Sequence, residues 1–302
     1  MTRHSERQRA GRPAAVHLGP GWQRLLPAAW LEGWNPERFE LEGGWTEVVT
    51  MGAGPPLVLL PPLPGYKEAW IACAPQLARE FRVITFDLRN RFHGPPRWEA
   101  LLDDMRRILG AHAPGAAGLA GHSLGGALAQ RWALEHPERV TALVLSSTFA
   151  RVTNPPGNRL ARFVEQPLVL ASQRLLPDVV ARPIARRLAA REAWVYDRRC
   201  ADFLLDFIRF CIRDVSVACA LGAVRLAMAH DTRATIGGLR PPARVVVGEL
   251  ESRFMRESIA ELRRLLPSAD LVLSPGASHL HPLSNPEWLS ERIAEWMRGR
   301  VA

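Results

Sequence analysis

The sequence predicts an α/β fold, a mostly parallel and doubly wound sheet with a helical cap inserted into it, and three observations carry that prediction. Short apolar runs recur along the chain and alternate with helix-like patterns. The runs are continuous rather than alternating in polarity, as expected for strands covered on both faces. One of them breaks into a glycine-rich turn, Gly121-His122-Ser123-Leu124-Gly125, and a helix-like segment follows that turn.

In chain order, residues 1–38 are expected to be an N-terminal extension, partly mobile. Within it Trp22, Leu25, Leu26, Trp30, Leu31 and Trp34 recur at near-helical spacing, which predicts a helix packed on the body. The sheet domain is expected over 39–150 and 236–302. Its strands are expected at 57–60, where prolines end the run, and then at 82–86, 118–120, 141–145, 244–247 and 270–273. A helix is expected over 127–135. Residues 151–235 contain no good strand. Pro155, Pro156, Pro167, Pro177 and Pro183 divide their first half into short pieces, and 197–217 gives the strongest helix, with Phe203, Leu204, Phe207, Ile208, Cys211 and Val215 along one face. Ligands in such sheets bind beyond the carboxyl ends of the strands, so an insertion there is expected to cap the pocket.

The composition narrows the function classes. The 302 residues are 47% hydrophobic and 23% charged, which is enough for a sizeable core. No apolar stretch approaches the ~20 residues of a membrane span. The start, MTRHSERQRAGRPAAVHLG, lacks the apolar region of a secretory signal, so a cytoplasmic location is expected. Cys73, Cys200, Cys211 and Cys219 have neither zinc-site nor redox-pair spacing and are expected as buried thiols. The net charge is +9, with Lys67 the single lysine. Residues 151–240 carry 15 Arg against 8 Asp and Glu. That excess reads as a solvated helical face, the alternative being a patch that attracts an anionic ligand. No nucleic-acid motif accompanies it. The oligomeric state is left open.

The turn carries the chemistry. G-x-S-x-G between a strand and a helix presents a serine on a sharp, strained bend whose neighbours must lack side chains. The start of the following helix offers unpaired amides and the positive end of a dipole. A serine hydroxyl needs a base to take its proton. His279, in Pro275-Gly276-Ala277-Ser278-His279-Leu280, follows the last expected strand and so falls on the same sheet edge as Ser123. His281 is its near competitor. His93 follows another strand end, and His122 sits inside the turn with its side chain expected to point away from Ser123. A third group must orient the imidazole. Glu251 is the first choice and Glu249 the alternative, both following the run at 244–247. The order serine, acid, histidine suits this fold.

With these residues in view, the chain resembles the α/β-hydrolase superfamily over about 39–296, and within it the capped esterase, C–C hydrolase and cofactor-free haloperoxidase group. The markers are PPLVLLPPLPG (55–65), FRVITFDLRN (81–90), GLAGHSLGG (118–126), HPERVTALVLSS (136–147), PPARVVVGELE (241–251) and LSPGASHL (273–280). The resemblance implies a catalytic triad of Ser123, His279 and Glu251, and an oxyanion hole of the Leu63 and Leu124 backbone amides. It implies no metal and no organic cofactor. Three departures stand out. Pro61-Pro62 replaces the family's His-Gly and supplies no N–H. Glu251 stands where Asp is usual, an accepted variant. Asp87 to Gly94 departs from the family's Asp-x-Arg-Gly-x-Gly. The expected function is hydrolysis of a small or medium, fairly apolar carboxylic ester through an acyl-enzyme, with Trp194, Tyr196, Phe203, Phe207 and Phe210 available to line the pocket. The alternatives are C–C bond hydrolysis, lactone opening or acyl transfer on the same residues, or a non-catalytic binding protein on this scaffold.

Overall fold

The computed structural model describes residues 28–89, 95–153, 171–172, 174–191, 211 and 215–301. Its strands are β1 (Glu37–Leu41), β2 (Gly44–Met51), β3 (Pro56–Leu60), β4 (Arg82–Phe86), β5 (Ala117–His122), β6 (Val140–Ser146), β7 (Ala243–Gly248) and β8 (Asp270–Ser274). They form one sheet in the order β1-β2-β4-β3-β5-β6-β7-β8. From β4 to β8 all neighbours pair parallel, and β1 and β2 join antiparallel at one edge.

The continuous apolar runs are explained by burial on both faces. Leu57 and Leu59 of β3 pack with Val83, Val144 and Val246 beneath Trp70, Leu77 and the helix α6 (Pro286–Met297). Val58 and Leu60 point the other way, with Ile84, Phe86, Leu119, Leu143 and Val245. They lie against α1 (Trp98–His112), α2 (Leu124–Glu135) and α5 (Arg253–Leu265). Leu289, Ile293 and Met297 of α6 recur at four-residue steps and are fully buried, each contributing roughly 1.5–3 kcal/mol.

The six expected strands are present; the one at 82–86 has the expected bounds and the other five are one to three residues longer, and the expected 127–135 helix begins three residues earlier at Leu124. The β1–β2 hairpin was not expected. Its second strand places Thr46 and Glu47 in the interior, a pattern that local polarity does not reveal.

The chain leaves the sheet after β6 and returns at β7. Arg151 and Asp231 form an isolated antiparallel bridge at the neck of this excursion, and the Thr232 N–H donates to the Ala150 carbonyl at 2.9 Å. Two described helices lie within it, α3 (Asp178–Arg191) and α4 (Val217–Ala229). Pro183 was expected to break the chain but lies inside α3, where it removes the one hydrogen bond its own nitrogen would make. The expected helix at 197–217 lies outside the described residues apart from Cys211 and 215–217, and so do the five pocket-lining aromatics. Of the N-terminal stripe, Trp22, Leu25 and Leu26 lie outside them as well. Ala28–Leu31 is one helical turn, with Trp30 and Leu31 packed on the core and Trp34 buried. Among the described residues no helix is long and apolar enough to cross a membrane.

Candidate active site

Ser123 joins β5 to α2 with φ 52, a backbone region that costs a non-glycine residue roughly 1–3 kcal/mol. Its surroundings hold it there. Its N–H donates to the Ser146 carbonyl at 2.9 Å, and its carbonyl accepts from Thr148 Oγ1 at 2.7 Å. A Cβ on Gly125 would collide with the Leu60 carbonyl, so this glycine lets the first turn of α2 lie against the end of β3.

His279 stands on the loop after β8, and Glu251 three residues beyond the end of β7. The Leu250 N–H donates to the Ala277 carbonyl at 2.9 Å, tying the two loops together. Gly248 allows their approach, since a Cβ there would lie 2.6 Å from the Ser278 carbonyl oxygen. Ser252 caps α5 by accepting from the Met255 N–H, which fixes the chain just after Glu251.

The three side chains meet in one line. His279 Nε2 lies 3.1 Å from Ser123 Oγ, and His279 Nδ1 lies 3.1 and 3.2 Å from the Glu251 oxygens. Ser123 is 8% exposed, His279 7% and Glu251 1%. Burial opposes ionisation of Glu251, yet the electrostatic pull of the adjoining His279 ring and the hydrogen bond from it hold its carboxyl below the usual range. Glu249 is placed elsewhere, at the surface, where its carboxylate accepts from the Gly276 N–H at 2.7 Å. His281 is turned away from Ser123, towards Ser146 and Ser147. His122 bonds Ser146, and its ring lies 5.0 Å from that of His279. His93 lies outside the described residues.

Leu124 is the first residue of α2, where an N–H has no intrahelical acceptor. Leu63 follows Pro61-Pro62 beyond the end of β3 and is partly exposed. Its loop is anchored from below. The Gly65 N–H donates to the Pro62 carbonyl at 2.7 Å, the Leu88 N–H to the Gly65 carbonyl at 2.8 Å and the Lys67 N–H to Asp87 Oδ1 at 2.9 Å.

That last contact belongs to a buried charge cluster the sequence reading missed. Lys67 Nζ lies 2.7 Å from Glu47, 2.8 Å from Glu68 and 3.2 Å from Asp87, and all four residues are buried. Burial opposes the charge on Lys67, but Asp87, Glu68 and Glu47 together raise its pKa. Burial pushes the Asp87 carboxyl up to about 7, against the pull of Lys67. A lone lysine in an arginine-rich chain, just past a Pro-Gly pair, was the available signal. Among the described residues no group of His, Cys, Asp or Glu is arranged to hold a metal ion.

A family model described as "alpha/beta hydrolase fold" matches residues 55–286. A pimeloyl-[acyl-carrier protein] methyl ester esterase of Chromobacterium violaceum is 30% identical over 253 residues, 82% of this chain and 96% of the relative. The enzyme of the same name from Nitrosomonas europaea is 28% identical over 248 residues, covering 80% and 94%. Among solved structures, a thermophilic esterase from Thermogutta terrifontis is similar with a TM-score of 0.69 at 24% identity, covering 89% of this chain and all of that one. At that identity the likeness speaks for the fold.

Proposed function

The chain belongs to the α/β-hydrolase family and is an ester hydrolase, and from that premise we propose that it works through an acyl-enzyme on Ser123, with His279 as general base and Glu251 as the acid that orients it. The observation that carries this reading is the unbroken line from Ser123 Oγ through both His279 nitrogens to Glu251. An ionised carboxylate only accepts, so it selects the tautomer with the proton on Nδ1 and leaves the Nε2 lone pair facing the serine hydroxyl. The serine proton passes to Nε2 as Oγ attacks the acyl carbon. His279 then returns that proton to the leaving alcohol, and activates water for the second half of the cycle.

The oxyanion is received by the Leu63 and Leu124 amides. In sites of this kind each donor contributes about 3 kcal/mol to the transition state. Leu124 is supported by its place at the start of α2, and Leu63 by the bonds that fix its loop. Residues 151–235 act as the cap, an assignment supported by the bridged neck at Arg151 and Asp231. The substrate is a small or medium, fairly apolar ester, and the site of action is the cytoplasm. The ester reading is preferred to C–C cleavage, lactone opening, acyl transfer or binding alone because the relatives that cover most of this chain are named as esterases.

The test is ester turnover by the Ser123→Ala variant. The variant is expected to keep its circular dichroism spectrum and melting temperature while losing turnover. A folded variant that still hydrolyses the ester at the wild-type rate overturns the mechanism.

A further inference from the structure

The stretch Pro61-Pro62-Leu63-Pro64 holds three prolines, so it offers one backbone N–H, that of Leu63. Among the described residues nothing accepts it. A loop that keeps its single donor for a substrate cannot be tied down through its own amides. It is held at its two ends instead. At the near end a Cβ on Gly125 would collide with the Leu60 and Pro61 carbonyls, so the loop starts flush against α2, whose first residue is Leu124. At the far end the Gly65 N–H donates to the Pro62 carbonyl at 2.7 Å, and the Gly65 carbonyl accepts from the Leu88 N–H at 2.8 Å.

Lys67 completes the attachment. Its N–H donates to Asp87 Oδ1 at 2.9 Å, and its Nζ donates to Asp87 Oδ2 at 3.2 Å, so one residue grips one carboxylate twice. The same Nζ lies 2.7 Å from Glu47 of β2 and 2.8 Å from Glu68, its neighbour in the chain. Asp87 is fixed in its turn just after β4. Its N–H donates to the Glu47 carbonyl at 3.1 Å, and its carbonyl accepts from Thr46 Oγ1 at 2.8 Å.

Stability alone is a weak reason for this arrangement. Apolar side chains of similar volume hold a core as well as a buried ion cluster does, or better. Charged hydrogen bonds add what apolar contacts lack, a fixed length and direction. Here they join the loop that bears the Leu63 N–H to the two strands beside it.

Resting on the serine-hydrolase reading above, we propose that Lys67 is a positioning residue of the oxyanion hole. Gripped by Asp87 and Glu47, it keeps the Leu63 N–H at the distance from Ser123 that the developing oxyanion requires.

The experiment measures kcat and KM for p-nitrophenyl acetate and for its thionoester, in which sulfur replaces the carbonyl oxygen. Sulfur accepts N–H bonds poorly, so the ester draws on the hole far more than the thionoester does. The proteins compared are wild type, Asp87→Ala, Asp87→Asn and the double variant Lys67→Met/Glu47→Gln, which removes one cation and one anion together so that neither is left unpaired. Asp87→Ala and the double variant are expected to lower kcat for the ester roughly ten- to a hundredfold, the scale of a misplaced catalytic group. The ratio of ester to thionoester turnover falls by about the same factor. Asp87→Asn, which still offers an oxygen to the Lys67 N–H, recovers most of the loss. Wild-type ester turnover in the folded double variant overturns the proposal. An equal loss on both substrates does so as well, since it marks a general scaffold role. Where Asp87→Ala does not fold, the double variant decides alone. A wild type without Ser123-dependent turnover overturns the hydrolase reading and this inference together, whereas an unchanged substrate ratio in variants of an active wild type overturns this inference only.

Discussion

Glu251 and Glu249 lie two residues apart in a loop whose sequence gives no reason to choose between them beyond family likeness. The structure separates them by burial and partner: one faces His279 from the interior, the other accepts a backbone N–H at the surface. Glu251→Gln is expected to lower kcat by about 10³–10⁴-fold, the loss seen when an orienting carboxylate becomes an amide that favours the wrong tautomer. Glu249→Gln is expected to change it by about twofold at most, as surface substitutions do. Ester kinetics on both variants check this, and the reverse ranking contradicts it. The placement of Ser123, His279 and the Glu249–Glu251 pair was legible because each follows a strand end, and a parallel sheet brings those ends to one edge. The bonds of His281, Ser146 and Ser147 were not legible. They join residues about 135 positions apart, and the single residue between His279 and His281 says nothing about which way either ring turns.

At the scale of elements, the runs buried on both faces announced themselves, and the edge hairpin did not. Glu47 is buried in β2 only because Lys67, arriving 20 residues later, carries the opposite charge into the same space. A pattern read residue by residue takes such a glutamate as a solvent-facing position. The cluster is also what fastens the loop bearing Leu63 to β2 and β4. Lys67→Met removes the cation and leaves Glu47, Glu68 and Asp87 facing one another. It is expected to cost about 3–5 kcal/mol of folding stability, the scale for breaking a buried ion pair from one side. Urea unfolding checks this, and an unchanged midpoint contradicts it. The helix α4 was hidden for a different reason. Its run of Ala, Val and Leu is nearly uniform in polarity, so neither period stands out.

For the whole molecule, the buried titratable groups set a pH dependence with a definite sign. His122, His230 and His281 are held neutral by burial, His230 down to about 3 and His281 to about 4. The unfolded chain takes up their protons near pH 6.5 and the folded one does not, so each favours unfolding as pH falls below that value. Asp87 acts oppositely: folded, it keeps its proton up to about 7, so its contribution is lost as pH rises from about 4 towards 7. The three histidines outweigh the one carboxyl, so the unfolded chain binds more protons and stability falls as pH drops below about 6.5. The melting temperature at pH 5 is therefore expected to lie below that at pH 7, and a flat or inverted profile contradicts the assignment. The central claim is the activated serine, and the most direct measurement is the intact mass after treatment with a fluorophosphonate probe, followed by peptide mapping. A single adduct located on Ser123, absent from Ser123→Ala and much slower to form in Glu251→Gln, is the predicted result. A folded wild-type protein that hydrolyses esters yet carries no adduct on Ser123 contradicts it.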